Sequence, residues 1–513
     1  MSAGTEPENV VIKTLARLTN SLPIGRGVDQ QSIKPTGWKA HHEAVELLMF
    51  SLDNVAEGHR VRLDKKTSNL LRMRTEDTAP GEGSAPEDDL VLLEPERLDG
   101  VIAIDRQGAT ADVQGMCTYE DLVDATLTFG LAPMVVPSLK TITVGGAIAG
   151  SAAESSSFRN GLPQASVLEM DILTGAGEVL TCSPTENAEL FRAFPNSYGT
   201  LGYAVRVKIE LEPVLDYVEL RHLRFHDLGE MVRVLTDVSA SGTHEGQKID
   251  YLDGVVFSAT ESYLVLGFQT AEPGDVSDYT HDDTYYQSIR HPAGVAEDRL
   301  NIRDYIWRWD TDWFWNSRDV GAQNPTMRKL WPHDLLRASF YSRLLELDKK
   351  FHIAERIDGR AGKPTQERVE HTVEIPADNL LDFLTWLLDA SDIEPVWLCP
   401  VRLLEKGDSS GAAGERRWLL SPLTTHTTWV DVGIWSSVPA DLLGEDTPEG
   451  AFARAVEKKA TELGGHTLLY SDSFYTPEEF SEIYGGDKLA ELKEKCDPKH
   501  RFPNLYDKVV HGA

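Results

Sequence analysis

The sequence predicts an α+β fold with more than one domain, and three observations support this prediction. Short apolar runs alternate with amphipathic segments from Val61 onward, which is typical of mixed strands and helices. The chain has 513 residues, a length that corresponds to roughly two to four domains. A strongly alternating strand over residues 202–211 is followed, after Pro213, by an irregular region rich in aromatic residues, which indicates a domain boundary.

The individual elements are justified by local patterns. Residues 1–40 are polar and weakly periodic, so we expect a loosely attached leader before a helix over residues 41–52. Alternation and turn residues predict strands at 98–104 and 111–114, a helix at 119–129, and a strand pair at 166–173 and 178–182. Residues 79–89 and 405–415 predict surface loops, and residues 488–495 predict a polar helix near the end.

Composition excludes several classes of protein. Lys and Arg number 50 against 82 Asp and Glu, a net charge of −32 that repels nucleic acid and anionic membrane surfaces. No apolar run approaches the ~20 residues that cross a bilayer, and the four cysteines show no metal-ligand or redox spacing. We therefore expect a cytoplasmic protein without a metal site, with at most peripheral contact to the inner face of a membrane.

The densest chemical signal is the segment 137–161, which is rich in Gly, Ala and Ser. Missing side chains let backbone N–H groups approach a ligand closely, and a phosphate-bearing molecule suits such a surface. The spacing matches neither the dinucleotide fingerprint G-x-G-x-x-G nor the phosphate loop G-x-x-x-x-G-K-S/T. A tightly packed turn that needs small residues for steric reasons is the alternative interpretation.

This segment resembles the flavin-binding half of the vanillyl-alcohol oxidase (PCMH-type) FAD proteins. The similarity rests on the T-V-G-G motif at Thr143–Gly146 and continues through residues 169–178 and 190–202. The resemblance implies a two-subdomain FAD-binding domain at 41–212 and an α+β substrate (cap) domain at 213–475. It further implies a C-terminal segment, 476–513, that returns to the FAD domain.

Within this family, the sequence is most similar to the Diminuto/Dwarf-type sterol side-chain reductases and to their soluble actinobacterial relatives. The segments that carry this similarity are 154–157, 195–202, 397–400 and 469–475. It implies a reductase that uses FAD and NADPH to convert a methylene-branched fatty acyl chain to the methyl-branched product, next to a partner methyltransferase. The alternatives are a sterol side-chain (delta-24) reductase, an FAD-dependent alcohol or sugar oxidase or dehydrogenase, and a scaffold or lipid carrier without cofactor.

The resemblance also implies which residues bind FAD. The first flavin loop is expected at residues 65–70, where Lys65 and Lys66 would offset the pyrophosphate charge, and a solvated basic turn is the alternative interpretation. Neither this loop nor the later one has the His or Cys to which some relatives attach the flavin, so we expect non-covalent FAD. The residues expected at the cofactor are Lys66, Thr67, Ser68, Asn69, Pro137, Ser138, Thr141, Thr143, Val144, Gly145, Gly146, Gly150, Ser151, Glu154, Ser155, Ser156, Arg159, Gly161, Gly199, Thr200, Gly202 and Val205.

Reduction of an isolated alkene requires an acid and aromatic faces. Without a carbonyl to polarise the double bond, protonation must come first, and aromatic rings stabilise the resulting cation by ~0.5–2 kcal/mol each. The alternating segment 368–376 places Glu370 and His371 on opposite faces, and we expect His371 or Glu370 to supply the acid. Tyr475 is a further candidate donor, and the aromatic run 305–315 is either core or the wall of a lipid channel.

Overall fold

The computed structural model describes residues 36–65, 89–95, 97–281, 283–318, 322–323, 325–330, 332, 335–341, 343–344, 365–403, 417–425, 427–444 and 447–512. These residues form mixed helices and strands, so the predicted α+β class is confirmed. Most of the predicted leader 1–40 and of the loop 79–89 lies outside the described residues. All of the predicted loop 405–415 lies outside them as well, and so does the predicted first flavin loop except for Lys65, which leaves out Lys66, Thr67, Ser68 and Asn69.

The first part of the chain forms a six-stranded sheet and a small parallel strand pair. Its strands are β1 (Arg60–Leu63), β2 (Leu90–Leu93), β3 (Val101–Asp105), β4 (Thr110–Gln114), β5 (Leu131–Pro133), β6 (Val167–Leu173), β7 (Val179–Cys182) and β8 (Tyr203–Pro213). Its helices are α1 (Trp38–Asp53), α2 (Tyr119–Leu127), α3 (Val144–Gly150), α4 (Ser157–Asn160) and α5 (Ala188–Ala193), with a 3-10 turn at Pro163–Ser166. The sheet has the order β3-β4-β8-β6-β7, with β5 beside β8, and β1 pairs with β2.

The second part forms an eight-stranded antiparallel sheet. Its strands are β9 (Tyr217–Phe225), β10 (Thr243–His244), β11 (Gln247–Lys248), β12 (Tyr251–Ser258), β13 (Glu261–Thr270), β14 (Val295–Asn301), β15 (Gln366–Pro376), β16 (Val396–Arg402), β17 (Thr428–Pro439) and β18 (His466–Thr467). The order is β14-β9-β13-β12-β16-β17-β15-β18, while β10 and β11 form a separate hairpin. The chain passes from the first sheet to the second between Pro213 and Tyr217.

The helices of this second part follow the same chain order. They are α6 (Leu228–Ser241), α7 (Tyr285–Ile289), α8 (Ile302–Ile306), α9 (Pro325–Leu330), α10 (Leu380–Ala390), α11 (Ala451–Glu462), α12 (Pro477–Ile483) and α13 (Gly486–Cys496). Shorter 3-10 turns lie at Asn316–Arg318 and Ala377–Asn379, and a π-helical turn lies at Asp507–His511.

The two faces of the eight-stranded sheet differ in chemistry because successive side chains of a strand alternate between faces. One face of β15 and β17 is apolar, with Val373 and Val432, and packs against α6, α10 and α11 in the main core. The other face carries Thr372, Glu374 and Asp431, all of them buried. Polar and ionisable groups are therefore concentrated on the face that is turned away from the helical layer.

The C-terminal residues return to the first sheet. The N–H of Val61 donates to the Arg501 carbonyl at 2.7 Å, and the N–H of Ala176 donates to the Cys496 carbonyl at 3.1 Å. Lys508 Nζ donates to the Tyr198 carbonyl at 2.6 Å. The last helix and the C-terminal tail thus bind to the first domain and form part of it.

Within the described residues, no helix combines the length and the apolar character needed to cross a membrane. No cluster of His, Cys, Asp or Glu in the same part of the chain is arranged to hold a metal ion. The four cysteines are all buried and unpaired with one another.

Candidate functional site: a cavity between the two sheets

A cavity of about 370 Å³ lies between the glycine-rich segment of the first domain and the polar face of the eight-stranded sheet. This volume lies within the range that is usual for small-molecule sites, which are concave and few per protein. Ten residues predicted to contact the cofactor line it: Pro137, Ser138, Thr141, Thr143, Gly145, Gly146, Gly150, Ser151, Gly199 and Gly202.

The paired glycines of α3 fit tightly against their own protein. Thr143 caps the helix, and its Oγ1 accepts the N–H of Gly146 at 3.2 Å, while the N–H of Gly145 donates to the Gly115 carbonyl at 2.8 Å. A Cβ at Gly145 would lie 2.8 Å from that carbonyl oxygen, and a Cβ at Gly146 would lie 2.8 Å from Lys65 Nζ. The small residues therefore serve close packing and the approach of an ammonium group, since both N–H groups already have partners.

Lys65 supplies a partly buried positive charge at this end of the cavity. Its Nζ donates to Thr143 Oγ1 at 3.0 Å, and no carboxylate within the described part of the chain pairs with it. Desolvation lowers the pKa of Lys65 to about 8. A partly buried ammonium group beside a cavity suits an anionic ligand, and Arg62 and Lys508 line the same cavity.

Aromatic side chains from the second domain form the opposite wall. Trp313, Phe314, Trp397, Trp435 and Tyr470 line the cavity. The rings of Phe314 and Trp435 stack with centroids 4.3 Å apart, and Trp435 Nε1 donates to the Tyr470 hydroxyl at 3.1 Å. The predicted aromatic run therefore serves both purposes, because Trp309 and Trp315 belong to the core whereas Trp313 and Phe314 reach the cavity.

The turn that presents this wall is strained. Trp313 and Phe314 have φ values of 43° and 60°, in the left-handed region that bulky side chains rarely adopt. Such conformations cost of order 1–3 kcal/mol each and are concentrated at functional sites. The strain therefore marks this aromatic wall as a part of the molecule that serves a ligand.

One carboxyl group reaches the cavity among the described residues, and it belongs to Asp431. Asp431 on β17 lies directly opposite Glu374 on β15, and both carboxyl groups are buried, so the charge of each acts on the other. Burial raises the pKa of Glu374 to about 8, and burial together with the Glu374 charge raises the pKa of Asp431 well above its usual range. This wall of the cavity therefore holds a proton near neutral pH.

A buried ion cluster joins the two domains beside the cavity. Arg308 Nη2 lies 2.8 Å from both Glu154 Oε1 and Asp253 Oδ2. Ser138, which lines the cavity, donates to Glu154, and Trp397 Nε1 donates to Asp253 at 3.4 Å. Glu154, which is predicted to contact the cofactor, thus links the glycine-rich segment to the second domain, and its contact with the cofactor stays a prediction.

The other predicted cofactor residues outside the lining also make protein contacts. Arg159 forms a bidentate pair with Glu212 at 2.6 and 2.8 Å, and Ser155 Oγ lies 2.9 Å from the Tyr305 hydroxyl. Ser156 donates to the Met134 carbonyl at 2.8 Å, and Thr200 donates to the Ser197 carbonyl at 2.7 Å. Val144 and Val205 are buried in the core, and Gly161 has a φ of 73° that favours glycine.

The three predicted catalytic residues lie away from the cavity. His371 is on the apolar face with Val369 and Val373, and burial lowers its pKa to about 4, so its imidazole is neutral near pH 7. Glu370 accepts a hydrogen bond from Arg368. Tyr475 packs in a separate core cluster, where its hydroxyl accepts from the Thr467 N–H at 3.2 Å.

Sequence reasoning missed Asp431 and Thr372 and gave no role to Trp435. The available signal was a carboxylate at the centre of an otherwise apolar strand, Trp429 to Trp435, because such residues are almost never fully buried without a partner. The same signal occurs at Glu374, between Val373 and Ile375.

Comparisons with known proteins agree with this geometry. The sequence profile of a family described as "FAD binding domain" matches residues 60–183. Delta(24)-sterol reductase from Homo sapiens is 26% identical over 441 residues, which cover 81% of this chain and 77% of the reductase. Delta(24)-sterol reductase from Arabidopsis thaliana is 24% identical over 436 residues (80% and 75%), and cytokinin dehydrogenase 10 from Oryza sativa subsp. japonica is 27% identical over 282 residues (49% and 50%).

Lys65→Met should weaken FAD binding about 10- to 100-fold, because a hydrogen bond to a charged group contributes ~1.5–3 kcal/mol. In the wild type, affinity should fall as the pH rises above about 8, since the neutral amine no longer attracts phosphate. Fluorescence titration of the apoprotein with FAD from pH 7 upward measures both effects. Lys39→Met, at a lysine that is 92% exposed, is the matched control, and equal affinity in the two variants would contradict the assignment.

Gly145→Ala and Gly146→Ala should separate packing from cofactor binding. The Gly146 change meets the Lys65 ammonium and the Thr143 hydroxyl, both ends of side chains, and should lower FAD affinity with a smaller change in the free energy of unfolding than the Gly145 change. The Gly145 change meets the Gly115 backbone and should destabilise the protein by ~1–3 kcal/mol, as overpacking does. Urea unfolding of the apoprotein and FAD titration test the pair, and identical behaviour of the two variants would refute this division of roles.

Arg308→Met should reduce the free energy of unfolding by ~3–5 kcal/mol, because it leaves Glu154 and Asp253 buried without their cation. Arg233→Met removes an exposed pair with Asp237 and should cost less than ~1 kcal/mol. Urea denaturation followed by circular dichroism measures both. A loss below ~1 kcal/mol for Arg308→Met would show that the cluster does not hold the domains together.

The matched segment supplies Lys65, Thr143 and Gly146, so the profile and the cavity identify the same site. The partly buried Lys65 ammonium group, which donates to Thr143, fits the pyrophosphate of FAD, and the cavity extends from it to the aromatic wall. The predicted resemblance to the PCMH-type FAD-binding proteins is thereby confirmed. The chain therefore carries an FAD binding domain over residues 60–183 and is similar to oxidoreductases, among them Delta(24)-sterol reductases and cytokinin dehydrogenases.

Proposed function

We propose that this protein is an FAD-dependent reductase of an isolated C=C bond in a lipid, supplied with electrons by NADPH. The observation that carries the proposal is the aromatic wall of Phe314, Trp397 and Trp435, which faces the glycine-lined end of the cavity. Such a wall binds an apolar chain and also stabilises positive charge that develops on it.

The chemistry of the substrate explains why this wall is needed. An alkene that carries two alkyl groups on one carbon accepts a proton at the less substituted carbon and becomes a tertiary cation. FAD, when bound and reduced, supplies the hydride that completes the reduction. A ring face that Trp397 or Trp435 turns to the cavity lowers the energy of the cation by ~0.5–2 kcal/mol, whereas Phe314 stacks between Trp309 and Trp435 and supports the wall.

A methylene-branched fatty acyl chain is the first candidate substrate, on the resemblance of the segments 154–157 and 469–475 to reductases of that kind. A partner methyltransferase that forms the methylene branch would supply it. A sterol side chain is the second candidate, supported by the similarity to Delta(24)-sterol reductases over 81% of this chain. Both contain the alkene pattern that protonation requires.

Two further features belong to the proposal. FAD binds without a covalent link, because the loop that begins at Lys65 and the segment 155–157 contain neither a His nor a Cys to which the flavin could be attached. The protein acts in the cytoplasm, with at most peripheral contact to the membrane that holds its lipid.

Anaerobic mixing of the FAD-loaded protein with NADPH should bleach the flavin absorbance, and a branched alkene lipid should then restore it. A methylene-branched acyl lipid and a delta-24 sterol, added separately, distinguish the two candidate substrates. Bleaching by an alcohol or a sugar, followed by prompt reoxidation in air, would instead identify an oxidase and defeat the proposal. Lipid analysis of cells with and without the protein checks the substrate in vivo.

A further inference from the structure

We propose that Asp431 donates the proton to the substrate alkene and is reprotonated from His466 through Glu374. This inference rests on the proposed function and assigns the acid that the reaction needs. It starts from a row of ionisable groups that runs across three adjacent strands and ends at the cavity.

The row follows from strand register. His466 on β18 is the cross-strand partner of Glu374 on β15, and Glu374 is in turn the partner of Asp431 on β17. Cross-strand partners lie on the same face of a sheet, with Cβ atoms ≈ 4.5–5.5 Å apart. The three side chains therefore form a continuous line perpendicular to the strands.

The contacts along this line are direct. His466 Nε2 contacts Glu374 Oε2, and Glu374 and Asp431 face each other as cross-strand partners with both carboxyl groups buried. Two buried carboxyl groups this close form a hydrogen bond once one of them holds a proton, since an ionised carboxylate is an acceptor only. Of these three residues, Asp431 alone lines the cavity, so the proton can leave the row only there.

Burial keeps the row isolated from bulk water. Glu374, Asp431 and His466 are 0%, 1% and 2% exposed. The other ionisable groups that face the carboxyl pair are Cys399 on β16, Tyr470 beside the cavity and Tyr484 behind it. None of these three carries a positive charge, and of the groups that face the pair in the described surroundings His466 is the one whose ring nitrogen contacts a carboxyl oxygen and can carry a proton to it.

The direction of the pKa shifts agrees with a proton-donating role. Burial raises the pKa of both carboxyl groups, that of Glu374 to about 8. A general acid is most effective when its pKa lies near the working pH, and it must be protonated before the reaction starts. Glu370 on the same strand accepts from Arg368 and lies outside the lining, which makes it unsuited to this role.

The step balances in atoms and electrons. The O–H bond of Asp431 breaks, and its proton forms a C–H bond at the less substituted alkene carbon. The resulting cation takes two electrons as a hydride that originates from the reduced nicotinamide and reaches it by way of the bound FAD. The ionised Asp431 then regains a proton from Glu374, which takes one from protonated His466, and His466 takes the replacement proton from water before the next turnover.

The test compares two half-reactions in the full-length, FAD-loaded protein. Asp431→Asn should leave flavin reduction by NADPH within about threefold of wild type. It should slow reoxidation by the alkene lipid about 10²- to 10⁴-fold, the usual contribution of a general acid. Glu457→Gln is the matched control, because Glu457 is a fully buried carboxyl with a pKa near 7 that lies outside the lining, and it should keep both rates within a few-fold.

Two results overturn the inference in distinguishable ways. If Asp431→Asn reoxidises with the alkene as fast as wild type, the proposed function stands and Asp431 is not the acid. If wild-type reduced protein is not reoxidised by either branched lipid, the proposed function fails, and this inference fails with it.

Infrared difference spectroscopy gives a readout that does not depend on turnover. The wild type at pH 7 should show the carbonyl stretch of a protonated carboxylic acid that disappears in Asp431→Asn and persists in the matched control. An unchanged spectrum in Asp431→Asn would contradict the shared proton.

Glu374→Gln tests the positioning role of Glu374. It removes the negative charge that helps to raise the pKa of Asp431. The rate of the first turnover, which requires protonated Asp431, should therefore decline at a lower pH than in the wild type. A pH profile that does not move, with only the overall rate reduced, would show a structural role and overturn the relay.

Discussion

The buried guanidinium of Arg308 is the interaction on which the site depends. It lies between Glu154 of the cofactor loop and Asp253 of the eight-stranded sheet, and it is fully buried with both partners. Because removal of one member would leave uncompensated charge in a low dielectric, the cluster fixes the distance between the two domains. Ser138 donates to Glu154 and Trp397 donates to Asp253, and both of these donors line the cavity. The distance between the two domains therefore also sets the width of the cavity.

The cavity that results has two chemically different ends. One end offers Lys65 and the small residues of α3, which suits a phosphate-bearing cofactor. The other end offers Trp435, Tyr470 and the carboxyl group of Asp431, which suits an apolar substrate that needs a proton. In the proposed reaction, the cofactor at the Lys65 end supplies the electrons and Asp431 at the other end supplies the proton. A substrate that lies between the two ends contacts both.

Much of the first domain could be predicted because its signals are local. The small-residue composition of residues 137–151 and the alternation of β8 are visible in consecutive letters. The cavity wall that carries Asp431 could not be predicted in the same way, because it forms by pairing between strands that are distant in the sequence. Alternation placed Glu370 and His371 on opposite faces, but the packing of α6, α10 and α11 decides which face becomes core, and only strand register brings Asp431 to Glu374.

A crystal structure of the FAD-bound protein tests the central claim most directly. The account predicts a pyrophosphate oxygen within hydrogen-bonding distance of Lys65 Nζ, roughly 2.7–3.2 Å, and an isoalloxazine ring that faces Trp435 and Tyr470. A pyrophosphate bound away from Lys65, or a ring turned away from this aromatic wall, would contradict it.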